Sequence, residues 1–553
     1  MRSLTSIAVR LTAALLLTAC SEPAWAQAQQ APAAPPGPVR RLSLDEAVRL
    51  ALEQNLSLQV QRVSPQIEDE IIRQARSAWT PTLTGSATYN NADTPPDSFL
   101  SGTEGTLQSE QFLGSAGVEQ LLPWGSSYSV TWDALRSTSN SIFTNFNPRL
   151  RSGLSMAFRQ PLLRDRSIDS ARQQLVISKR NREISDVDLR GAVVNTIRSV
   201  KNGYYELAYA YANLQVQKQS LELARQTLKD NRTRVEVGTM APIDIVEAES
   251  EVARNEENVI VAEAAIKTAE DRLRALVFDP GQPEFWNMTL ELSEKFDLVL
   301  PHANIDVDAA VRNALEKRTD LIQAKKQIEN TQVNIKYLQN QVLPQVNFEA
   351  DLSTLGLGGT QFLRGPGFPG EIIGETTRSF WSVQGLVFGF DYPTWALGVS
   401  VSYPLGTSSA QANLARTKLQ LNQSLLQVKN IELQIGTQVL DAARQVGTNV
   451  KRLDATRAAQ ALAERRLEAE QKKFGVGMST SFQVFQAQRD LATARNNFLR
   501  AAIDYYKSQA DFEAVQETSV GGSSGISIST GSSSAATGGA ASSASSATRT
   551  GGQ

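Results

Sequence analysis

Arg234 to Ala253 reads RVEVGTMAPIDIVEAESEVA, and Lys473 to Ala492 reads KFGVGMSTSFQVFQAQRDLA. Laid side by side without a gap, Gly238 meets Gly477, Ile245 meets Val484, Ala248 meets Ala487 and Ala253 meets Ala492. In each stretch a long helical pattern stops at Val-Gly, crosses a few small residues, and a second helical pattern begins. Glycine just past a helix end accepts the left-handed conformation at little cost. Thr239, Pro242 and Asp244 follow in one copy, Ser479 and Thr480 in the other. These residues start helices, as hydroxyl caps, a first-turn proline and an acid beside the positive end of the helix dipole. Each stretch therefore predicts the tip of a helical hairpin, and the chain has two.

Working outward, the arm before the first tip is free of proline from Leu162 to about Val237, and apolar residues recur along it at steps of four and three. Val193, Ile197, Val200, Tyr204, Leu207, Tyr211 and Leu214 set the count, which continues through Lys218, Leu221, Arg225 and Leu228. Such a heptad predicts a left-handed coiled coil. About 70 residues at 1.5 Å each make a rod of roughly 100 Å. The return arm, Ile243 to about Phe278, is shorter and ends at Asp279-Pro280-Gly281.

The duplication extends beyond the tips. Ile305 to Leu321, IDVDAAVRNALEKRTDL, matches Leu42 to Leu58, LSLDEAVRLALEQNLSL, at eight of 17 positions, and the same offset lays Pro344 on Pro81. A duplication of this length governs the whole fold. Each half runs helix, strands, long helix, tip, helix. Between Thr82 and Pro161, Gly, Ser, Thr and Asn rise and period-two alternation appears in Leu83 to Tyr89, Gly117 to Leu121, Tyr128 to Trp132 and Leu154 to Phe158. This turn-punctuated alternation is the pattern of barrel strands. Trp124, Tyr128, Trp132, Phe143 and Phe146 fit either an interfacial aromatic girdle or ordinary strand packing. The second half carries a Gly- and aromatic-rich region up to Tyr403-Pro404-Leu405, which echoes Gln160-Pro161-Leu162.

Composition narrows the function. The 55 basic and 57 acidic residues nearly cancel, which gives nucleic acid no handle. With one cysteine, Cys20, and one histidine, His302, neither an internal disulfide nor a zinc site of His and Cys is expected. No cofactor is expected, and no Walker motif is present. Gly365 to Gly370 fits G-x-G-x-x-G, but its prolines preclude the helix a dinucleotide site needs. Gly521 to Gly525 fits the hydrolase elbow inside a low-complexity tail. Tyr204-Tyr205 and Tyr505-Tyr506 sit on helical stripes and are read as packing. The chain is not expected to be an enzyme.

The N-terminus reads as an export signal, with Arg2 and Arg10 before an apolar run from Leu11 to Ala19. Two processing sites compete. Leu17-Thr18-Ala19-Cys20 resembles a lipobox that would leave Cys20 lipidated, while Ala24-Trp25-Ala26 suits ordinary cleavage before Gln27. Beyond the signal no stretch reaches the ~18 consecutive apolar residues of a spanning helix. Membrane residence would therefore require a β-barrel.

Taken in order and position, these residues resemble the TolC-like outer-membrane efflux proteins over nearly all of Ser43 to Glu517. The resemblance is carried by LDEAVRLALEQN followed by ARSAWTPTLTGSATY, by QPLL, by Asn202-Gly203-Tyr204-Tyr205-Glu206-Leu207, by the Gly238 tip with Asp244, by the repeat onset at Asp308, by SYPLG at Ser402 to Gly406, and by FGVGMSTSFQV. It implies an α+β fold built from two internal repeats, in which a trimeric outer-membrane β-barrel continues as a long α-helical coiled-coil tube in the periplasm. It implies a passive exit duct for efflux or type I secretion, working as a homotrimer in outer-membrane lipid with a periplasmic adaptor and an inner-membrane pump. The expected organisation is a signal peptide at 1–26, a tether at 27–42, a first repeat at 43–278, a linker at 279–304, a second repeat at 305–518 and a disordered Gly/Ser/Ala tail at 519–553.

By the same resemblance the tips carry function. Val237, Gly238, Thr239, Val476, Gly477, Met478 and Ser479 become candidate adaptor contacts, and Asp244, Phe474, Gln483 and Gln486 candidate gate residues. Asp244 falls on the family's aspartate, although a first-turn helix acid accounts for it equally. The second tip departs from some members, with Ser479 where an arginine can sit, Phe474 where a tyrosine can, and Gln483 and Gln486 at positions that elsewhere hold aspartates. The family norm is four strands per chain. Here Gly117 to Trp132, folded about Leu122-Pro123-Trp124-Gly125, and the region Gly356 to Tyr392 are candidates for extra hairpins, inside the barrel or outside it. The competing reading is a structural periplasm-spanning coiled coil or adhesin without a conduit.

Overall fold

The structure, a computed structural model, describes residues 38–95, 106–281, 285–294, 305–367, 370–406 and 408–517. The expectations for the signal peptide, Cys20, His302 and the tail lie outside these residues. Among the described residues no helix is long and apolar enough to cross a membrane.

The chain opens with β1 (Val39–Leu42), α1 (Leu44–Gln54) and α2 (Leu56–Arg76). In the sequence the helical pattern that begins at Ser43 runs to about Trp79, where Thr80-Pro81 ends it, and reads as one helix. Instead Asn55 turns extended with ψ 119° and caps the next helix through Leu58 N, dividing the segment in two. The stretch expected as a tether also ends in structure, because β1 pairs in parallel with β6 (Thr289–Leu292) from the linker.

Four strands follow, β2 (Thr82–Thr94), β3 (Leu107–Leu121), β4 (Ser127–Ser139) and β5 (Phe146–Pro161). The β3–β4 turn folds where the sequence placed it. Gly125 takes φ +93° and donates its N–H to Leu122 O at 2.9 Å, and Leu122 N–H reaches Ser126 O at 2.7 Å. The second half supplies α5 (Val307–Lys317), α6 (Thr319–Gln341) and the long β7 (Gln345–Arg364), then β8 (Ile372–Arg378), α7 (Phe380–Phe388) and β9 (Pro393–Ser402). All seven strands from β2 onward, apart from β6, join one sheet in the order β2-β3-β4-β5-β7, after which β9 pairs the base of β7 and β8 its top. The β3–β4 hairpin is thus inside the wall. The Gly356 to Tyr392 region also forms a hairpin, the top of β7 pairing antiparallel with β8 from Gly359↔Arg378 to Arg364↔Ile372, and the helix α7 follows it.

Register assigns the two faces. Leu83, Val118, Val130, Met156 and Leu352 share one face, which continues into β9 as Trp395, Leu397, Val399 and Val401. The opposite face carries Thr84, Ser86, Ser129, Thr131, Arg159, Glu349, Asp351 and Ser400. One face is apolar and the other polar, as a sheet between lipid and a water-filled lumen requires. The edges β2 and β9 have no partner strand within the described chain.

From the base of this wall run two hairpins. α3 (Ser170–Glu236) and α8 (Ser409–Gly475) have 67 residues each, and α4 (Ile243–Val277) and α9 (Ser481–Val515) have 35 each. The predicted seam is buried at Val193, Ile197, Val200, Tyr204 and Leu207. Farther out the buried positions are Val216, Leu221, Ala224, Thr227 and Asn231, whose steps of five, three, three and four depart from the predicted count. The charged positions Lys218 and Arg225 stand aside and pair with Glu263 at 3.5 Å and Glu256 at 2.8 Å on α4. The largest cluster lies where β1, α1, α3, α4 and β6 meet, around Leu42, Ala51, Tyr204, Leu273 and Leu290. Tyr205 stacks on Tyr506 at 5.3 Å, tying the first hairpin to the second. Beside it Glu206 accepts from Lys507 and lies 3.2 Å from Arg500. Burial pushes this carboxyl up, and the two cations outweigh burial and hold it below its ordinary range.

Candidate functional site: the paired hairpin tips

Both tips follow one local design. α3 closes at Val237, after which Gly238 turns left-handed at φ +76°, its N–H on Val235 O and the Thr239 N–H on Arg234 O at 2.8 Å. α8 closes at Val476, Gly477 takes φ +79°, and Met478 N–H reaches Lys473 O at 2.9 Å. These are the back-bonds that satisfy the last carbonyls of a helix. A Cβ on either glycine would meet nothing within 4 Å, so the requirement there is backbone conformation, not space. Thr480 caps α9, accepting from Gln483 N–H, whereas α4 starts behind Pro242 with no side-chain cap.

The candidate residues divide into three groups. Val237, Val476 and Met478 project outward, each more than two-thirds exposed, and Ile243 joins them. Asp244, expected at the gate, accepts from Ser481 Oγ at 2.9 Å, so it bridges the first tip to the second. Phe474 lies under the Arg234 guanidinium at 4.5 Å, while Arg234 Nη1 donates to Phe474 O at 3.3 Å. Ser479 sits 2.9 Å from Glu470 Oε2 and 2.8 Å from Gln483 Oε1. Lys473 and the Ser479 hydroxyl hold the Glu470 carboxylate below its ordinary range. Gln486 turns the other way, donating to Asp490 Oδ1 at 2.9 Å and accepting from Arg489 at 3.1 Å. Gln483 and Gln486 therefore do not converge on one point within the chain.

Sequence reading missed Arg234, Ser481, Glu251 and Arg489. Arg489 reaches Glu251 Oε2 at 3.4 Å across the hairpins, and Glu251 is buried. The gapless tip alignment did hold a signal for one of them, because Arg234 falls on Lys473, a cation in the last turn of each long helix.

A sheet polar on one face and apolar on the other, open at both edges, and standing on helical hairpins with aligned tips defines a channel that crosses an outer membrane and extends into the periplasm. The model of the outer membrane efflux protein family matches residues 47–277 and 310–515, and the chain belongs to that family. The two matched segments correspond to the two repeats. The family is one of channels, not enzymes. The chain is 20% identical over 463 residues to the outer membrane efflux protein BepC of Brucella suis, covering 84% of this chain and 82% of that protein. The crystal structure of CusC shares the fold at a TM-score of 0.60 and 14% identity, over 86% of this chain and 91% of that one. The CmeC outer membrane channel of Campylobacter jejuni matches at 0.60 and 15% identity, over 86% and 85%. The protein is an outer-membrane efflux channel.

Proposed function

We propose that three copies of the chain close a single barrel and a single helical tube, forming a passive exit duct whose periplasmic entrance is opened when an adaptor and an inner-membrane pump engage the tips. The observation that carries this reading is the open sheet. Unpaired strand edges are not tolerated in lipid, and β2 and β9 are the two edges another copy would pair. At the base the wall is six strands wide, β8 standing above β9 in one column. Three such walls make eighteen strands. Barrel diameter grows roughly with strand number, so at equal tilt the duct is about half again as wide as with the family's usual four per chain.

At the entrance, the exposed valines and Met478 supply apolar knobs for an adaptor to cover. Asp244–Ser481 and Arg234–Phe474 hold the two tips of one chain together, so opening separates neighbouring chains and leaves each pair of tips intact. Charge-assisted and cation–π contacts of this exposure contribute about 1 kcal/mol each. Between neighbouring chains the closing contacts at the second tip are neutral hydrogen bonds and packing in this reading, since Gln483 and Gln486 stand where some family members hold aspartates. Native mass measurement in detergent together with single-channel recording in planar bilayers tests the proposal. A trimer with stable conductance is expected; a monomer that still conducts overturns it.

A further inference from the structure

We infer that α7 is a membrane-embedded helix lying flat against the outer wall of the barrel, with Trp381 and Phe388 in contact with lipid acyl chains. The inference rests on the barrel reading above and adds to it a lipid-contact surface that is not made of strands.

Which face α7 covers follows from register. Val383 and Val387 are fully buried against the sheet. A Cβ on Gly356 would lie 2.6 Å from Val383 O, and one on Gly358 would lie 2.5 Å from Val383 Cγ2. The two glycines thus mark where the helix backbone rests. Gln384, also buried, accepts from Trp132 Nε1 at 3.0 Å and lies 3.3 Å from Ser152 Oγ. Gly356 pairs with Ser152, and Trp132 pairs with Leu154, which pairs in turn with Thr354. All of these alternate in phase with Met156 and Leu352 on the apolar face, and the register from Arg149 to Pro161 is unbroken. The arginines of β5, Arg149, Arg151 and Arg159, lie on the other side.

What meets the far side of α7 follows from height and charge. On β7 the apolar face offers Val346, Phe348, Ala350 and Leu352, then Thr354, Gly356 and Gly358, which carry little or no apolar side chain. Val346 to Leu352 spans about 15 Å of height at ~3.3 Å per residue and ~40° tilt, short of the roughly 25 Å band a membrane barrel needs. A helix about 10 Å across, laid over the glycines, supplies the remainder. Between Arg378 and Asp391 no residue is charged, and Trp381 is 80% and Phe388 60% exposed. Leucine, valine and tryptophan on β9 expose the same surface directly below, from Trp395 to Val401. α7 continues this belt on the side away from the periplasm, because β7 rises from the helical base at Gln345.

The test uses the full-length protein in lipid vesicles, with a nitroxide attached at Trp381→Cys or Phe388→Cys, and with Leu397→Cys and Ser353→Cys as wall and lumen references. Collision with oxygen, which concentrates in the bilayer, is compared with collision with a water-soluble nickel chelate. The α7 sites are expected to match Leu397→Cys, favouring oxygen. If they favour the nickel chelate while Leu397→Cys still favours oxygen, the barrel stands and the α7 assignment falls. If neither reagent reaches Phe388→Cys, another copy of the chain covers α7, and the assignment falls equally. Should labelling disturb folding, Trp381→Phe in unlabelled protein is expected to remove part of the emission quenched by chain-brominated lipids; unchanged quenching would overturn the inference.

Discussion

The two repeats agree in the periplasm and disagree in the wall. α3 and α8 have the same length, and so do α4 and α9, with Gly238 and Gly477 at equivalent turns. In the wall the first repeat contributes four strands, and the second contributes β7 with a return strand broken into β8 and β9 around α7. Geometry explains the contrast. Helices packed side by side in a tube must end at one level, so a change in one hairpin needs a matching change in the other. A sheet needs only paired edges, and a hairpin or a helix added between existing strands leaves the edges where they were.

Altering one hairpin alone is expected to have the largest effect. Removing a heptad from each arm of the first hairpin, Leu221 to Thr227 and Glu256 to Ala262, keeps the α3–α4 pairing in phase but withdraws its tip by about 10 Å. Loss of transport in a cell-based efflux assay is expected. The same deletion combined with its counterpart in α8 and α9 is expected to restore it. Restoration failing in the paired deletion would show that the tips are not required to be level.

A smaller effect sharpens the contrast within the wall. Gly356→Val is expected to cost about 1–3 kcal/mol, because its first carbon would strike Val383 O at 2.6 Å and overpacking displaces α7. Gly85→Ala in the first repeat meets only Ser115 O at 3.7 Å and is expected to be close to neutral. Thermal unfolding of the assembled protein in detergent measures both. Equal effects would mean that α7 yields without cost.

Smaller again is the effect at the turns. Alanine at Gly238 or Gly477 must adopt φ +76° or +79°, a strain of about 1 kcal/mol per site, with no neighbour to strike. Gly477→Ala is expected to weaken coupling to the adaptor while leaving membrane insertion unchanged, as read by crosslinking to the adaptor and by surface yield. Reduced insertion would place the turn's role in assembly.

Much of this architecture was legible in the sequence because its signals are local or repeated. Glycine after a long heptad marks a tip, and eight matches between Leu42 to Leu58 and Ile305 to Leu321 mark the duplication. The break at Asn55 was not legible, since its apolar stripe runs on through the break and only ψ changes. Nor was α7, whose nine residues are too few and too uniformly apolar to show a period. Pairings between the tips, such as Asp244–Ser481, depend on how two hairpins 237 residues apart are set side by side, which no spacing records.

Within the second tip, two glutamines that alignment treats alike have different surroundings. Gln483 is exposed beside Ser479, whereas Gln486 is half-buried between Asp490 and Arg489. Gln483→Asp therefore adds a carboxylate facing water at little structural cost. In a trimer it places three such charges around one entrance, raising cation selectivity at low salt and fading as screening shortens their reach to about 10 Å at 0.1 M. Gln486→Asp removes the donor to Asp490 and sets two acids four residues apart, which costs a helix about 0.2–0.5 kcal/mol beyond the lost hydrogen bond. Its expected result is a looser α9 start, seen as faster amide exchange there, with a smaller gain in selectivity because Arg489 stands beside the new charge. Reversal potentials across a salt gradient, with block by multivalent cations, separate the two. Should Gln483→Asp leave both unchanged at low ionic strength, Gln483 does not line the entrance, and the neutral closure proposed for this tip must rest on other residues.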